Sequence, residues 1–271
     1  MVELEQYLAR IDYDGTPKPD RATLFALHRH HLTAIAYENF DIHLGGTLGL
    51  DIHHIYDKIV RRGRGGWCYE MNLLLAWALR AIGFNVTMLG AAVGVKESAD
   101  RQHMDHMALR VVVDDEPWLL DAGFGNAFLE PLPLREGSYE QGAYTFQLRR
   151  DGDYWCFQTH LHGGSGFDFL LQPRTPDDFA TRCQWLQSSP ESAFTRLTVC
   201  HRFRPDYSIV SLRNAVLTTV DGTNKTQRII DTLEAYHATV TQDFGLRLSN
   251  GEIAQLWAKV WPAHLAWVQA S

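Results

Sequence analysis

The run EMNLLLAWALRAI, residues 70–82, is apolar around most of a helical circumference and is followed by Gly83, a residue suited to ending a helix. A helix without a polar face cannot lie on a surface, so whatever this chain folds into must be arranged around that segment. With 271 residues, 45% of them hydrophobic, the chain has the material for one large domain or for two to three lobes sharing a core. Immediately upstream, RGRGGWCY sets Cys68 behind Gly65 and Gly66 at the start of the same helix.

Spacing predicts more helices before it. Leu4, Tyr7, Leu8 and Ile11 share one helical face, as do Leu24, Leu27 and Ile35, and then Ile52, Ile55, Ile59 and Val60. After Phe84 the texture changes. VTMLGAAVGV, HMALRVVV and EPWLLDA are short, rich in β-branched or bulky residues and divided by turn formers such as DDEP, which predicts strands. YTFQLRRDGDYWCFQ and YSIVSLRNAVLTTVDGTNKTQRII alternate about Asp-Gly turns and predict hairpins. The final stretch returns to helices in IIDTLEAYHATVTQDF and SNGEIAQLWAKVW, the second opened by a capping box of Ser249 and Glu252. Helices, then strands, then a mixture of both give an α+β class, with lobes expected at 1–87, 88–195 and 196–271.

A formal charge of −7 argues against nucleic acid and membrane surfaces as partners, because both are held by clustered Lys and Arg. The opening MVELEQYLARIDYDG is unlike a signal peptide and no apolar run reaches about 18 residues, so a soluble, cytoplasmic protein is expected. Cys68, Cys156, Cys183 and Cys200 contain no CxxC pair, which disfavours a disulfide framework and a structural zinc site. His28, His30, His31, His53 and His54 sit in helical segments without HExxH spacing, which points to solvated or packing roles and to no metal.

A thiol at a helix start meets unpaired backbone N–H groups and the positive end of the helix dipole, both of which favour the thiolate nucleophile. The flanking glycines allow close backbone approach, and the Cys68 N–H is placed to donate to an oxyanion. Cys156, Cys183 and Cys200 lack this context and read as packing residues. A nucleophilic thiol needs a base and the base needs an orienting group. His106 opens the strand HMALRVVV and Asp121 closes its hairpin partner EPWLLDA, which brings both to the same end; His103 is a rival base three residues away.

RGGWCYEMN from Arg64, HMALRV from His106, DAGFG from Asp121 and the earlier IAYENFDIHLGG resemble, in this order, the signature segments of the arylamine N-acetyltransferases. The resemblance covers most of the first half of the chain. It implies a cysteine-protease-like core in three lobes, namely a helical bundle, a β-barrel and an α/β lid, together with a Cys68–His106–Asp121 triad and acetyl-CoA as donor. The acceptors it implies are arylamines or arylhydrazines. It also implies that Arg64 and Glu38 form an ion pair bracing the active-site loop, and that Phe124, Gly125 and Tyr37 line the acceptor pocket. Asp105, before His106, and Ala36, where Pro is common, depart from the pattern. The same triad would also serve a cysteine thioesterase or transglutaminase-like hydrolase, or a related amide synthase using a polyketide thioester.

Overall fold

The computed structural model describes residues 2–94, 101 and 103–270. Helices α1 (Leu4–Arg10) and α2 (Arg21–Ala34), strand β1 (Tyr37–Glu38) and helices α3 (Phe40–Leu44) and α4 (Ile52–Tyr56) precede α5 (Cys68–Ile82), the segment that constrains the rest. α5 packs against α1, α2 and α4 on one side and against strands β2 (Asn85–Val93) and β3 (His106–Val113) on the other. Its apolar circumference is thereby covered, and Leu74, Leu75, Ala78 and Leu79 are fully enclosed. At its start the Trp67 N–H donates to Glu70 Oε2 at 3.2 Å. At its end Gly83, with φ of 108°, lets the backbone fold back onto the carbonyls of Leu79 and Arg80, the usual way of satisfying a final helical turn.

Eight strands form one sheet. After β2 and β3 come β4 (Glu116–Leu120), β5 (Leu132–Pro133), β6 (Gly137–Gln141), β7 (Tyr144–Asp151), β8 (Tyr154–Gln158) and β9 (Phe167–Arg174), in the spatial order β5-β4-β3-β2-β9-β8-β7-β6. The two edge strands, β5 and β6, are consecutive in the chain and joined only by residues 134–136. A link of that length reaches about 15 Å at most, whereas a flat eight-stranded sheet is about 34 Å across. The sheet must therefore curl until its edges nearly meet, and this makes it barrel-like. The β3–β4 turn falls at Asp114 and Asp115, both with positive φ, the conformation a two-residue hairpin requires. The register Leu109↔Leu120 leaves His106 and Asp121 just beyond the same end of this hairpin.

Helices α6 (Ala180–Ser188) and α7 (Ala193–Arg196) follow the barrel. A second sheet then takes the order β1-β10-β11-β12-β13, from β10 (Val199–Phe203), β11 (Ile209–Arg213), β12 (Val216–Asp221) and β13 (Asn224–Ile229). Its first strand belongs to the N-terminal part of the chain, with Tyr37 opposite His201 and Glu38 opposite Cys200. Helices α8 (Leu233–Ala238) and α9 (Asn250–Ala270) close over it through Tyr236, Ile253, Leu256 and Val260, with Val240 added from the turn after α8. The α+β fold of helical bundle, barrel and α/β lid is thus present. The expected final-third helix beginning at Ile229 is shorter: β13 claims residues up to Ile229, and α8 starts only after its Thr232 cap. Ser249 and Glu252 form the expected capping contacts, with Glu252 Oε2 accepting from the Ser249 N–H and hydroxyl at 2.8 Å each.

Candidate active site

Cys68 is the first residue of α5, 3% exposed, after an extended Trp67. The glycines before it serve a close backbone approach to β1. A Cβ on Gly65 would collide with the Ala36 carbonyl, and the Glu38 N–H donates to Gly66 O at 2.9 Å, so both glycines seat the loop against β1. A third glycine crowds the cysteine itself: a Cβ on Gly123 would stand 2.7 Å from Cys68 Cα. The DAGFG loop thus lies directly on the start of α5.

His106 is 2% exposed, and its Nε2 lies 2.6 Å from Asp121 Oδ2. This leaves Nδ1 as the ring nitrogen open to exchange a proton. The other Asp121 oxygen, Oδ1, accepts from Asn72 Nδ2 at 2.9 Å and from the Gly123 N–H at 2.8 Å. Asn72 lies one turn after Cys68 on α5 and so faces the same way. It also donates to Met107 O at 2.7 Å and accepts from the Ala122 N–H at 2.9 Å. Sequence reasoning missed this residue, although the spacing of four from Cys68 was there to be read. His28, read as a solvated or packing histidine, is fully buried and accepts the Asp121 N–H at 3.2 Å.

Burial pushes the Cys68 thiol well up, with Cys183 adding to the effect and the Tyr69 N–H opposing it. The helix start does favour the thiolate, as the sequence suggested, but enclosure outweighs it. The Cys68 Sγ rests 3.9 Å from Asp105 O, a weak S–H···O contact.

Cys68 and His106 open on one cleft of about 460 Å³, with an apolar lining that includes Tyr37, Phe124, Trp185 and Phe194. Phe124 meets the His106 ring edge to face at 5.3 Å. Gly125 turns away from this lining; its φ of 84° and a virtual Cβ 2.9 Å from the His201 ring show a close backbone packing. The Asp105 carboxylate accepts from the Val93 N–H at 3.0 Å and lies 3.6 Å from Arg182, whose guanidinium covers the Trp185 ring at 4.2 Å. His103 does not line the cleft. A second cavity of about 480 Å³ shares Asn126 with the first and is lined by Arg213, Lys225, His264 and Trp267, with no Asp or Glu side chain among the described residues.

Arg64 and Glu38 do meet, at 3.6 Å, but within a larger buried ion network. Arg64 also binds Asp41 at 2.6 Å and Glu252 at 3.1 Å, while Lys58 binds Asp41 at 3.0 Å and Glu70 at 2.8 Å. Burial alone would lower the Lys58 pKa and raise that of Glu70; the carboxylates around Lys58 more than reverse the first effect and keep its ammonium charged. Among the described residues no group of three or more His, Cys, Asp or Glu is placed to hold a metal.

A thiol at a helix start, an imidazole at a strand end and a carboxylate behind it are the residue set of cysteine-dependent acyl transfer, on a cysteine-protease-like core. Comparison with known proteins narrows that class. An N-acetyltransferase family model matches residues 20–253. The chain is 37% identical over 229 residues to the Gallus gallus pineal gland arylamine N-acetyltransferase isozyme NAT-3, covering 76% of this chain and 79% of that one. It is 34% identical to Homo sapiens arylamine N-acetyltransferase 1 over the same shares. The solved Salmonella typhimurium arylamine N-acetyltransferase superposes with a TM-score of 0.87 at 28% identity, over 94% of this chain and 97% of that chain. The Mycobacterium marinum enzyme, solved in complex with CoA, gives 0.87 at 27% identity, over 95% and 99%. The chain belongs to the arylamine N-acetyltransferase family.

Proposed function

We propose that this chain is an acetyl-CoA:arylamine N-acetyltransferase that works by double displacement through acetyl-Cys68. The observation that carries the reading is the Asp121–His106 contact, with Asp121 locked by Asn72 and Gly123, beside Cys68 in one apolar cleft. In the first half-reaction His106 Nδ1 takes the thiol proton as Cys68 Sγ attacks the thioester carbonyl. Backbone N–H groups of the first turn of α5, Cys68 among them, face the developing oxyanion. The C–S bond to CoA then breaks, and the departing thiolate takes the proton from the imidazolium. In the second half-reaction the amine nitrogen of an arylamine or arylhydrazine attacks acetyl-Cys68, His106 accepts its proton, and the thiol is restored as the N-acetyl product leaves. Asp121 holds the imidazole in register and stabilises its charged form throughout.

The apolar walls at Phe124, Tyr37 and Phe194 suit a flat aromatic ring and disfavour water, which favours transfer to an amine over hydrolysis. The adjoining cavity supports the donor. In a chain of net charge −7, Arg213 and Lys225, with no Asp or Glu side chain beside them among the described lining residues, give the phosphates of acetyl-CoA a favourable seat, and Trp267 offers its adenine a ring to stack on. We take Arg64 and Glu38 as the brace of the Cys68 loop, and residues 1–87, 88–195 and 196–271 as the three lobes. Four buried, free thiols suit a reducing compartment, so we place the protein in the cytoplasm, in the metabolism of foreign amines.

The test is the intact mass of the protein after mixing with acetyl-CoA alone, with released CoA followed in parallel, for wild type and Cys68→Ala. One acetyl group gained only by wild type, and passed on when an arylamine is added, is expected. Steady CoA release with no adduct would mean a thioesterase. No signal from either protein would mean a different acyl donor, as an amide synthase would need.

A further inference from the structure

We infer that His28 is a positioning residue for the reaction proposed above, fixing the backbone at both ends of the loop that carries Asp121 and Phe124. The inference rests on that reading of the triad. His28 stands on α2, in the helical bundle, with 0% of its surface exposed. Its Nε2 lies 3.2 Å from the Asp121 nitrogen and its Nδ1 lies 2.9 Å from the Leu129 carbonyl oxygen. Only one form of the ring satisfies both contacts: neutral, with Nδ1–H donating to Leu129 and Nε2 accepting from Asp121. The ring is also stacked on Phe128 at 5.8 Å, with an interplanar angle of 14°.

Asp121 and Leu129 are the two ends of the segment that holds Gly123, Phe124 and Gly125, so a single imidazole from a different part of the fold staples that segment shut. The effect reaches the chemistry because the Asp121 side chain is held from the opposite direction. Asn72 and the Gly123 N–H fix its Oδ1 and His106 meets its Oδ2, while its main chain depends on His28. An apolar residue of similar bulk would fill the space and leave a buried N–H and a buried C=O unpaired. The loop would then shift to recover partners, and a shift of about 1 Å in a catalytic group is enough to lose up to about 100-fold in rate. A purely space-filling role does not call for a donor and an acceptor at the two ends of one loop.

The test compares His28→Leu, which keeps bulk and removes both hydrogen bonds, with His28→Gln, which keeps a donor and an acceptor. Three quantities are measured: the single-turnover rate of Cys68 acetylation, the KM for acetyl-CoA, and the pH dependence of Cys68 alkylation by iodoacetamide. The expected result for His28→Leu is acetylation slowed by about 10- to 100-fold with KM changed by less than about threefold. Its alkylation profile should also be displaced, because a misplaced Asp121 stabilises imidazolium less well. His28→Gln should recover most of the rate. A folded His28→Leu with wild-type rate and profile would overturn the inference. If His28→Leu does not fold, His28→Asn, whose amide is too short to span both contacts, replaces it, and equal rates for Asn and Gln would overturn it. Cys68→Ala run alongside separates the two readings: activity retained there removes the triad itself, whereas an inactive Cys68→Ala beside a fully active His28→Leu removes only the role of His28.

Discussion

Asp105 sits beside His106, yet its carboxylate is taken up elsewhere, by the Val93 N–H and by Arg182 on the far wall of the cleft. The Arg182 Nη2 stands 3.6 Å from Asp105 Oδ2, longer than a hydrogen bond, so Asp105 holds the guanidinium by charge alone. Removing the competing acid should leave it open to an anionic acceptor. Asp105→Ser is expected to raise kcat/KM for carboxylated arylamines over neutral ones by several-fold, roughly 1 kcal/mol. Unchanged ratios across a panel of acceptors would end this idea. At this scale the sequence was informative where chemistry leaves a local mark. Cys68 announces itself by its glycines and its helix, and His106 and Asp121 by their places at one end of a hairpin. Asn72 was readable from helical spacing. His28 was not, because the backbone groups it binds lie near residues 121 and 129 and no local pattern links them to α2.

Among elements, the DAGFG loop is the most tightly packed against the site. A side chain on Gly123 would press on Cys68 Cα and on Asn72 Nδ2, which lies 2.5 Å from a virtual Cβ. Gly123→Ala should therefore displace the loop from α5, abolish formation of acetyl-Cys68 and destabilise the fold by about 3 kcal/mol or more, read from urea unfolding. Wild-type acetylation in that variant would show that the packing tolerates a methyl group. α5 was legible because its apolarity leaves one environment open to it, and the hairpins because Asp, Asn and Gly mark their turns. α6 and α7 were not: of α6 only Cys183 and Leu186 are buried and of α7 no residue, so no periodicity stands out. β1 has only two residues, too few for an alternating pattern, whereas β13, though exposed throughout, was marked by the turn before it.

For the whole molecule, buried neutral histidines set the response to acid. His28 and His31 are wholly enclosed, and burial lowers both, His31 to about 3 from an ordinary 6.5. The unfolded chain takes up these protons as the pH drops below 6.5 while the folded protein resists, so stability falls with falling pH through that window. Each ring contributes about 1.4 kcal/mol per pH unit once the unfolded state is protonated and the folded state is not. Urea midpoints between pH 6 and pH 4.5 should decline steeply. His31→Asn should flatten that decline by about 1.4 kcal/mol per pH unit, and parallel curves for the two proteins would contradict the assignment.

β1 pairs Tyr37 with His201, and Arg64 is bound to Glu252. The surroundings of Cys68 are therefore built from residues made early and residues made late. On a ribosome adding about 5–20 residues per second, the interval between Cys68 and Glu252 lasts on the order of ten to forty seconds. Until β10 has been made Tyr37 lacks its partner strand, and until Glu252 is added Arg64 lacks one of its carboxylates. Assembly is thus deferred: a chain still being synthesised carries Cys68 without β10 and without the Glu252 contact, and the cleft around the thiol is complete only once residues far along the chain have joined it.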